Sequence, residues 1–101
     1  MSDKNRQVLD VDVLFVGAGS ASLAGALHLK KLSVNAGLDI SIAIIEKARE
    51  IGAHSLSGAI IDPRSLNEII PNHLEKGVPF EAEVAEENMY YLSSKGKFRF
   101  P

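Results

Sequence analysis

The run Val13-Leu14-Phe15-Val16-Gly17-Ala18-Gly19-Ser20-Ala21-Ser22-Leu23 constrains this chain more than any other stretch. An apolar segment rich in β-branched and aromatic residues ends in two glycines, and a helical pattern follows at once. Such an order reads as a strand, a tight turn and a helix. Gly17 lets the backbone leave the strand sharply. Gly19 has no side chain, so a phosphate can lie against the main chain there. The free N–H groups of the first helical turn point at that space, and the helix dipole favours negative charge in it. Ser22 stands where G-x-G-x-x-G has its third glycine, a position that faces the strand and needs a small residue. The functional reading is a dinucleotide-binding turn; the alternative is a tight turn with no ligand.

The flanking segments agree with that order. Asp12–Val16 reads as a parallel strand buried on both faces. The spacing predicts a helix from about Ser20 to Asn35, with Leu23, Ala24, Leu27, Leu29, Leu32 and Val34 as a broad apolar stripe. Lys30 and Lys31 read as part of its solvated face. Gly37 suits the C-terminal stop. Ile40–Ile45 follows as a second strand, which makes one right-handed parallel crossover. Glu46 ends it. An acidic residue at this point of a dinucleotide-binding fold accepts hydrogen bonds from ribose hydroxyls and repels a 2′-phosphate, so NADP is disfavoured. The interval from Gly19 to Glu46 exceeds the roughly 20 residues usual for the fingerprint, and the long helix takes up the difference. The alternative is an exposed glutamate at a strand end.

The stretch from Lys47 to Asp62 is rich in glycine and serine and falls near the same edge of the sheet. Its small residues permit close approach to a flat ring or a phosphate; a purely structural loop fits equally. Asp62 and Pro63 start a short helix, with Asp62 as its N-cap, and Pro71 ends it. Its edge of Leu66, Ile69 and Ile70 reads as core, or as a turn lying in a membrane surface. The acidic run Glu81, Glu83, Glu86 and Glu87 is a solvated surface or a docking patch for a basic partner. Asn88–Leu92 and Lys97–Phe100 are strand-like and flank a loop, Ser93–Gly96, which reads as a hairpin. Tyr90 and Tyr91 read as sheet residues.

The bulk numbers exclude some functions. A net charge of −2 with mixed signs gives no electrostatic case for nucleic acid. Cysteine is absent, which excludes disulfides and cysteine-ligated clusters within these 101 residues. No apolar run approaches the ~18 residues of a membrane span, and Met1–Gln7 lacks the apolar segment of a signal peptide. Two parallel strands and a hairpin are fewer than a doubly wound domain needs. The expectation is an incomplete α/β fold, the N-terminal part of a longer protein.

Residues 46–64 carry a more specific signal. Glu46-Lys47, then Ile51-Gly52-Ala53-His54-x-Leu56-Ser57-Gly58-Ala59, then Asp62-Pro63-Arg64 resemble electron transfer flavoprotein–ubiquinone oxidoreductase. Upstream, Asp12-Val13 to Gly19 and His28-Leu29-Lys30-x-Leu32 resemble the start of that family. Downstream, Leu66-Asn67-Glu68-x-Ile70-Pro71, Lys76-Gly77-x-Pro79 and Lys95-Gly96-x-x-Arg99-x-Pro101 also fit. The resemblance covers about residues 11–101. The family usually has Pro and Gly where this chain has Ser20 and Ser22.

The resemblance implies the N-terminal βαβ of a Rossmann-like FAD-binding domain, then a short helix and a β-hairpin. Residues 11–62 would form the dinucleotide-binding unit with its loop, and residues 63–101 the start of an inserted helix and hairpin region. It implies an FAD enzyme at the inner membrane surface, mitochondrial or bacterial, that takes electrons from reduced electron transfer flavoprotein and passes them to ubiquinone. A [4Fe-4S] cluster would take its ligands from outside these residues. By position, Gly17, Ala18, Gly19, Ser20 and Ala21 would cradle the FAD pyrophosphate. Glu46 would hold the adenosine ribose, with Lys47 beside it. Gly52, Ala53, His54, Ser57 and Gly58 would lie along the flavin side, His54 as a hydrogen-bonding loop residue. No catalytic acid or base and no metal ligand is assigned. The stretch from about Gly52 to His73 is the expected membrane-facing surface, with Ile60, Ile61, Leu66, Ile69 and Ile70 meeting lipid or buried. Three alternatives stay open: another flavoprotein of the FixC or geranylgeranyl reductase type, an NAD-binding dehydrogenase, and a non-catalytic nucleotide-binding module.

Overall fold

A computed structural model describes residues 6–56 and 58–101. Strand β1 (Val13–Val16) leads into helix α1 (Ser20–Asn35), and strand β2 (Ile42–Ile45) returns beside β1. The two strands run parallel, with Val13 opposite Ile42 and Val16 opposite Ile45. A strand, a helix and a parallel strand therefore form one βαβ unit, as the apolar pattern predicts. Asp12 fixes its entry: the carboxylate accepts from the Ser41 N–H (2.8 Å) and hydroxyl (2.9 Å). These bonds hold the Asp12 carboxyl below its ordinary pKa.

The helix packs through small residues more than through its leucines. The side turned to the strands carries mostly small residues: Ala26 and Ser33 are buried, Ser22 and Gly25 are half-buried, and Leu29 is the one half-buried leucine. A Cβ added at Gly25 would sit 3.1 Å from the Phe15 ring, so glycine lets the helix approach β1 closely. Leu23, Leu27, Leu32 and Val34 of the expected stripe stay exposed. Close helix–strand approach selects small volume over hydrophobicity, which is why hydropathy periodicity points to the wrong face. The strands are also covered on one face only. Val13 and Phe15 are half-buried, whereas Leu14 and Val16 are exposed. A single helix cannot cover both faces of a sheet.

Beyond β2 lies helix α2 (Arg64–Ile69). Pro63 is already in helical conformation, and its carbonyl accepts from the Asn67 N–H (2.8 Å). Asp62 accepts from the Arg64 N–H (3.1 Å) and pairs with its guanidinium, which lowers the Asp62 pKa. Ile70, held extended by Pro71, ends the helix. Lys31 is not merely solvated: its ammonium donates to the Ile69 carbonyl at the end of α2. Lys30 likewise reaches the Ile40 carbonyl (3.4 Å). Long stems let both charges find helix-end and loop carbonyls. The following turn buries His73, whose Nδ1 lies 3.0 Å from the Ile70 carbonyl and whose ring meets Phe80 edge-on.

Strands β3 (Tyr90–Ser93) and β4 (Gly96–Arg99) form an antiparallel hairpin. Its loop is shorter than the four residues expected. Ser93 pairs with Gly96, leaving Ser94 and Lys95 as the turn, and the Ser93 hydroxyl bonds the Gly96 carbonyl (3.2 Å). Accessible surface totals 9686 Å², whereas a compact monomer of this mass exposes about 5,600 Å². Much apolar surface, including Met89, Tyr91, Phe98 and Phe100 of the hairpin, lies open.

Candidate functional site

The C-terminal ends of β1 and β2 open into a cleft of about 300 Å³ lined by Val16, Gly17, Ile45, Glu46 and Lys47. Ligands of open parallel sheets bind at this end of the strands. Gly17 makes the exit from β1 with φ +93°, a conformation that disfavours any side chain, and its N–H donates to the Ile45 carbonyl (2.7 Å). Ala18 is buried. Gly19 is the N-cap of α1, with φ −80° and ψ 177°. The first intrahelical bond runs from the Leu23 N–H to the Gly19 carbonyl (3.0 Å). Helix geometry therefore leaves the N–H groups of Ser20, Ala21 and Ser22 without partners in the helix. No acidic residue occupies that first turn, and a Cβ added at Gly19 would meet no atom within 4 Å. Donors and open space together fit an anion lying against the turn.

Glu46 reaches across from β2. Its Oε2 accepts from the Ala18 N–H (2.9 Å) and its Oε1 from the Ala48 N–H (3.0 Å). These bonds, the Ala18 one foremost, hold the carboxyl below its ordinary pKa, with smaller contributions from the Lys47 N–H and the charge of His54. The sequence places Glu46 beside the glycine turn; its grip on the Ala18 N–H leaves no trace in the sequence. Lys47 is exposed at the rim of the cleft.

The loop after β2 is less tightly joined to this site. Gly52 and Gly58 take positive φ (+87° and +76°), and the Ser55 N–H donates to the Gly52 carbonyl (2.9 Å). Gly52, Ala53, His54 and Gly58 are all exposed, and among the described residues no hydrogen bond joins them to the glycine turn. Ser57 lies outside the described residues. Ile60 and Ile61 are exposed, whereas Leu66, Ile69 and Ile70 are half-buried. Among the described residues no helix is long and apolar enough to cross a membrane, and no group of three or more His, Asp or Glu could hold a metal. Gly25, which the glycine fingerprint does not mark, proves to be the residue that seats the helix under the turn.

Against known proteins, 90 residues are 46% identical to the mitochondrial electron transfer flavoprotein-ubiquinone oxidoreductase of Dictyostelium discoideum, covering 89% of this chain. Over 93 residues it is 42% identical to a probable electron transfer flavoprotein-ubiquinone oxidoreductase of Acinetobacter baylyi, covering 91%. The chain belongs to the electron transfer flavoprotein–ubiquinone oxidoreductase family. The human mitochondrial member is 42% identical over 92 residues. This chain spans only 15–16% of the length of these family members. No protein-family profile matches it, and no solved structure does. The matched residues include both the glycine turn and Glu46, so the family resemblance and the cleft geometry meet in the same βαβ unit.

Proposed function

We propose that the βαβ unit binds the adenosine and pyrophosphate end of FAD, in a protein that passes electrons from reduced electron transfer flavoprotein to ubiquinone. The observation that carries this reading is the cleft itself. A glycine turn with open space, a helix N-terminus with free donors and a carboxylate all face one end of two parallel strands. The names borne by the relatives supply the donor and the acceptor.

In this reading the backbone from Gly17 to Ala21 receives the pyrophosphate, and Glu46 accepts from the ribose hydroxyls through the lone pairs its backbone bonds leave free. Lys47 lies beside the ribose. Gly52, Ala53, His54, Ser57 and Gly58 follow the cofactor towards its flavin end. The flavin, when bound, supplies the electron chemistry; these residues orient it and neutralise its phosphates. The fold is then Rossmann-like, with residues 11–62 as the nucleotide unit and 63–101 as the start of an inserted region. A [4Fe-4S] cluster takes its ligands from outside these residues, because they contain no cysteine. Exposed Ile60 and Ile61 suit a surface that meets the membrane, within the stretch from Gly52 to His73.

The test is the absorption spectrum and quinone reductase activity of the purified full chain. A flavin spectrum, bleached by reduced electron transfer flavoprotein and restored by a ubiquinone analogue, is expected. A colourless protein that binds NAD would overturn the reading, and a flavoprotein that ignores quinone would move it to another FAD-dependent reductase.

A further inference from the structure

We infer that Glu46 is a positioning residue as well as a ribose ligand: its carboxylate bridges the glycine turn and the loop after β2, and so shapes the turn before any nucleotide arrives. The inference rests on the nucleotide reading above for its ligand, and on the geometry of the unliganded chain for the bridge.

Three observations carry it. Ala18 is only 5% exposed, so its N–H needs a partner within the protein. That partner is Glu46 Oε2, 28 residues away in sequence and just past the end of β2. The second oxygen is committed in the opposite direction, to the Ala48 N–H. One planar carboxylate thus ties the residue between the two glycines to the residue that follows Lys47. The bridge sits directly above the last rung of the sheet, where the Gly17 N–H bonds the Ile45 carbonyl. Together these bonds fix the turn from both sides and leave the phosphate-facing donors from Gly19 onward free. Ala18 contributes its position and not its N–H to an incoming anion. Two oxygens carry about four acceptor sites, so bridging and ribose binding can proceed at once.

A glutamine cannot do the same. Its amide has one acceptor atom, so either the Ala18 or the Ala48 N–H would face an NH₂ group. It can still bond ribose hydroxyls, which both donate and accept. The two roles therefore separate by ligand. In the full chain, Glu46→Gln is expected to speed amide exchange at Ala18 by about fivefold or more, measured without ligand and relative to Leu23 inside α1. It is also expected to weaken ADP and 2′,3′-dideoxy-ADP alike, because the dideoxy sugar has no hydroxyls for Glu46 to hold.

Unchanged exchange at Ala18 overturns the bridge. Faster exchange with undiminished dideoxy-ADP affinity overturns its role in receiving the phosphates. Failure of the unsubstituted chain to bind ADP overturns the nucleotide reading instead, and the exchange at Ala18 still decides the bridge. Should the variant not fold, the unsubstituted chain answers. Ala18 protection, again relative to Leu23, is expected to fall only when the pH drops below the ordinary carboxylate range. Neither β1 nor the first turn of α1 brings a charged side chain to Glu46; the loop after β2 brings the charge of His54 and the backbone N–H of Lys47, and Lys47 lines the same cleft. Loss of protection at neutral pH would overturn the bridge.

Discussion

Alanine at Gly17 and alanine at Gly19 should fail in different ways, because the two glycines answer different demands. At Gly17 an added Cβ meets nothing within 4 Å, so no neighbour has to move. The whole cost lies in the backbone, since φ is +93° and is pinned by the bond to Ile45. Holding a non-glycine residue in such a region costs about 1–3 kcal/mol. The lower chain entropy of unfolded alanine returns about 0.4–1 kcal/mol. The net loss is about 1–2 kcal/mol, which corresponds to a factor of about 5–30 in a local opening equilibrium. Gly19 has φ −80° and ψ 177°, an extended conformation that alanine adopts freely. There the entropic gain and the poorer N-cap roughly cancel. What the Gly19 methyl group does is fill the open space above the helix N-terminus. Displacing a phosphate from one charge-assisted bond costs about 1.5–3 kcal/mol, or roughly 10–100-fold in affinity. Amide exchange across the β1–β2 ladder and calorimetric titration with ADP measure the two effects on the full chain. Gly17→Ala should speed ladder exchange and Gly19→Ala should not, while Gly19→Ala should lose ADP affinity. Equal exchange in the two variants, or undiminished ADP binding by Gly19→Ala, would refute the division of labour.

Other perturbations probe the supports of the site. Gly25→Leu drives a side chain into the Phe15 ring and should destabilise the βαβ unit by about 1–3 kcal/mol; Phe15→Leu in the same chain should recover part of that loss, measured as a double-mutant cycle. Asp12 has a folded pKa below its usual value, so its contribution is complete above about pH 4 and is lost as the pH falls through the lower folded value. Asp12→Asn should therefore flatten the acid limb of ladder protection below about pH 4. Lys31→Met removes the ammonium from the Ile69 carbonyl and should speed exchange at Asn67 and Ile70, by up to about fivefold. Lys31→Arg should restore it, and the β1–β2 ladder should not respond to either.

The order of elements was legible because strand and helix announce themselves by different means. β1 and α1 are separated by two glycines, of which Gly17 holds a positive φ that other residues disfavour, and the start of α1 at Ser20 agrees with the pattern. The face of α1 was not legible. Its packed side is made of Ser22, Gly25, Ala26 and Ser33, residues that carry little hydropathy. Leu23, Leu27 and Leu32 attract the eye and remain exposed, and only Leu29 is half-buried. The hairpin was displaced by one or two residues, because the hydroxyl of Ser93 extends the ladder where serine normally reads as loop. Within the site, the partnership of Glu46 with the glycine turn follows from a parallel register, and its bond to the Ala18 N–H emerges only from coordinates.

The strand composition itself argues for a second layer over the sheet. Leu14 and Val16 on β1, with Ile45 on β2, present apolar side chains on the face that α1 does not cover. Parallel strands of this kind occur where helices lie on both faces. Nothing among the described residues fills the second place: α2 is six residues long and lies against α1. The excess of accessible surface over that of a compact monomer, about 4,000 Å² by the same size scaling, is of the same origin as the exposed hairpin face. A chain spanning 15–16% of its relatives' length carries the glycine turn and its carboxylate on one small unit. The local geometry of the turn thus depends on few residues, Gly17, Ala18 and Glu46 foremost. Leu14, Val16 and Ile45 are left to receive an apolar layer on the other side of the sheet.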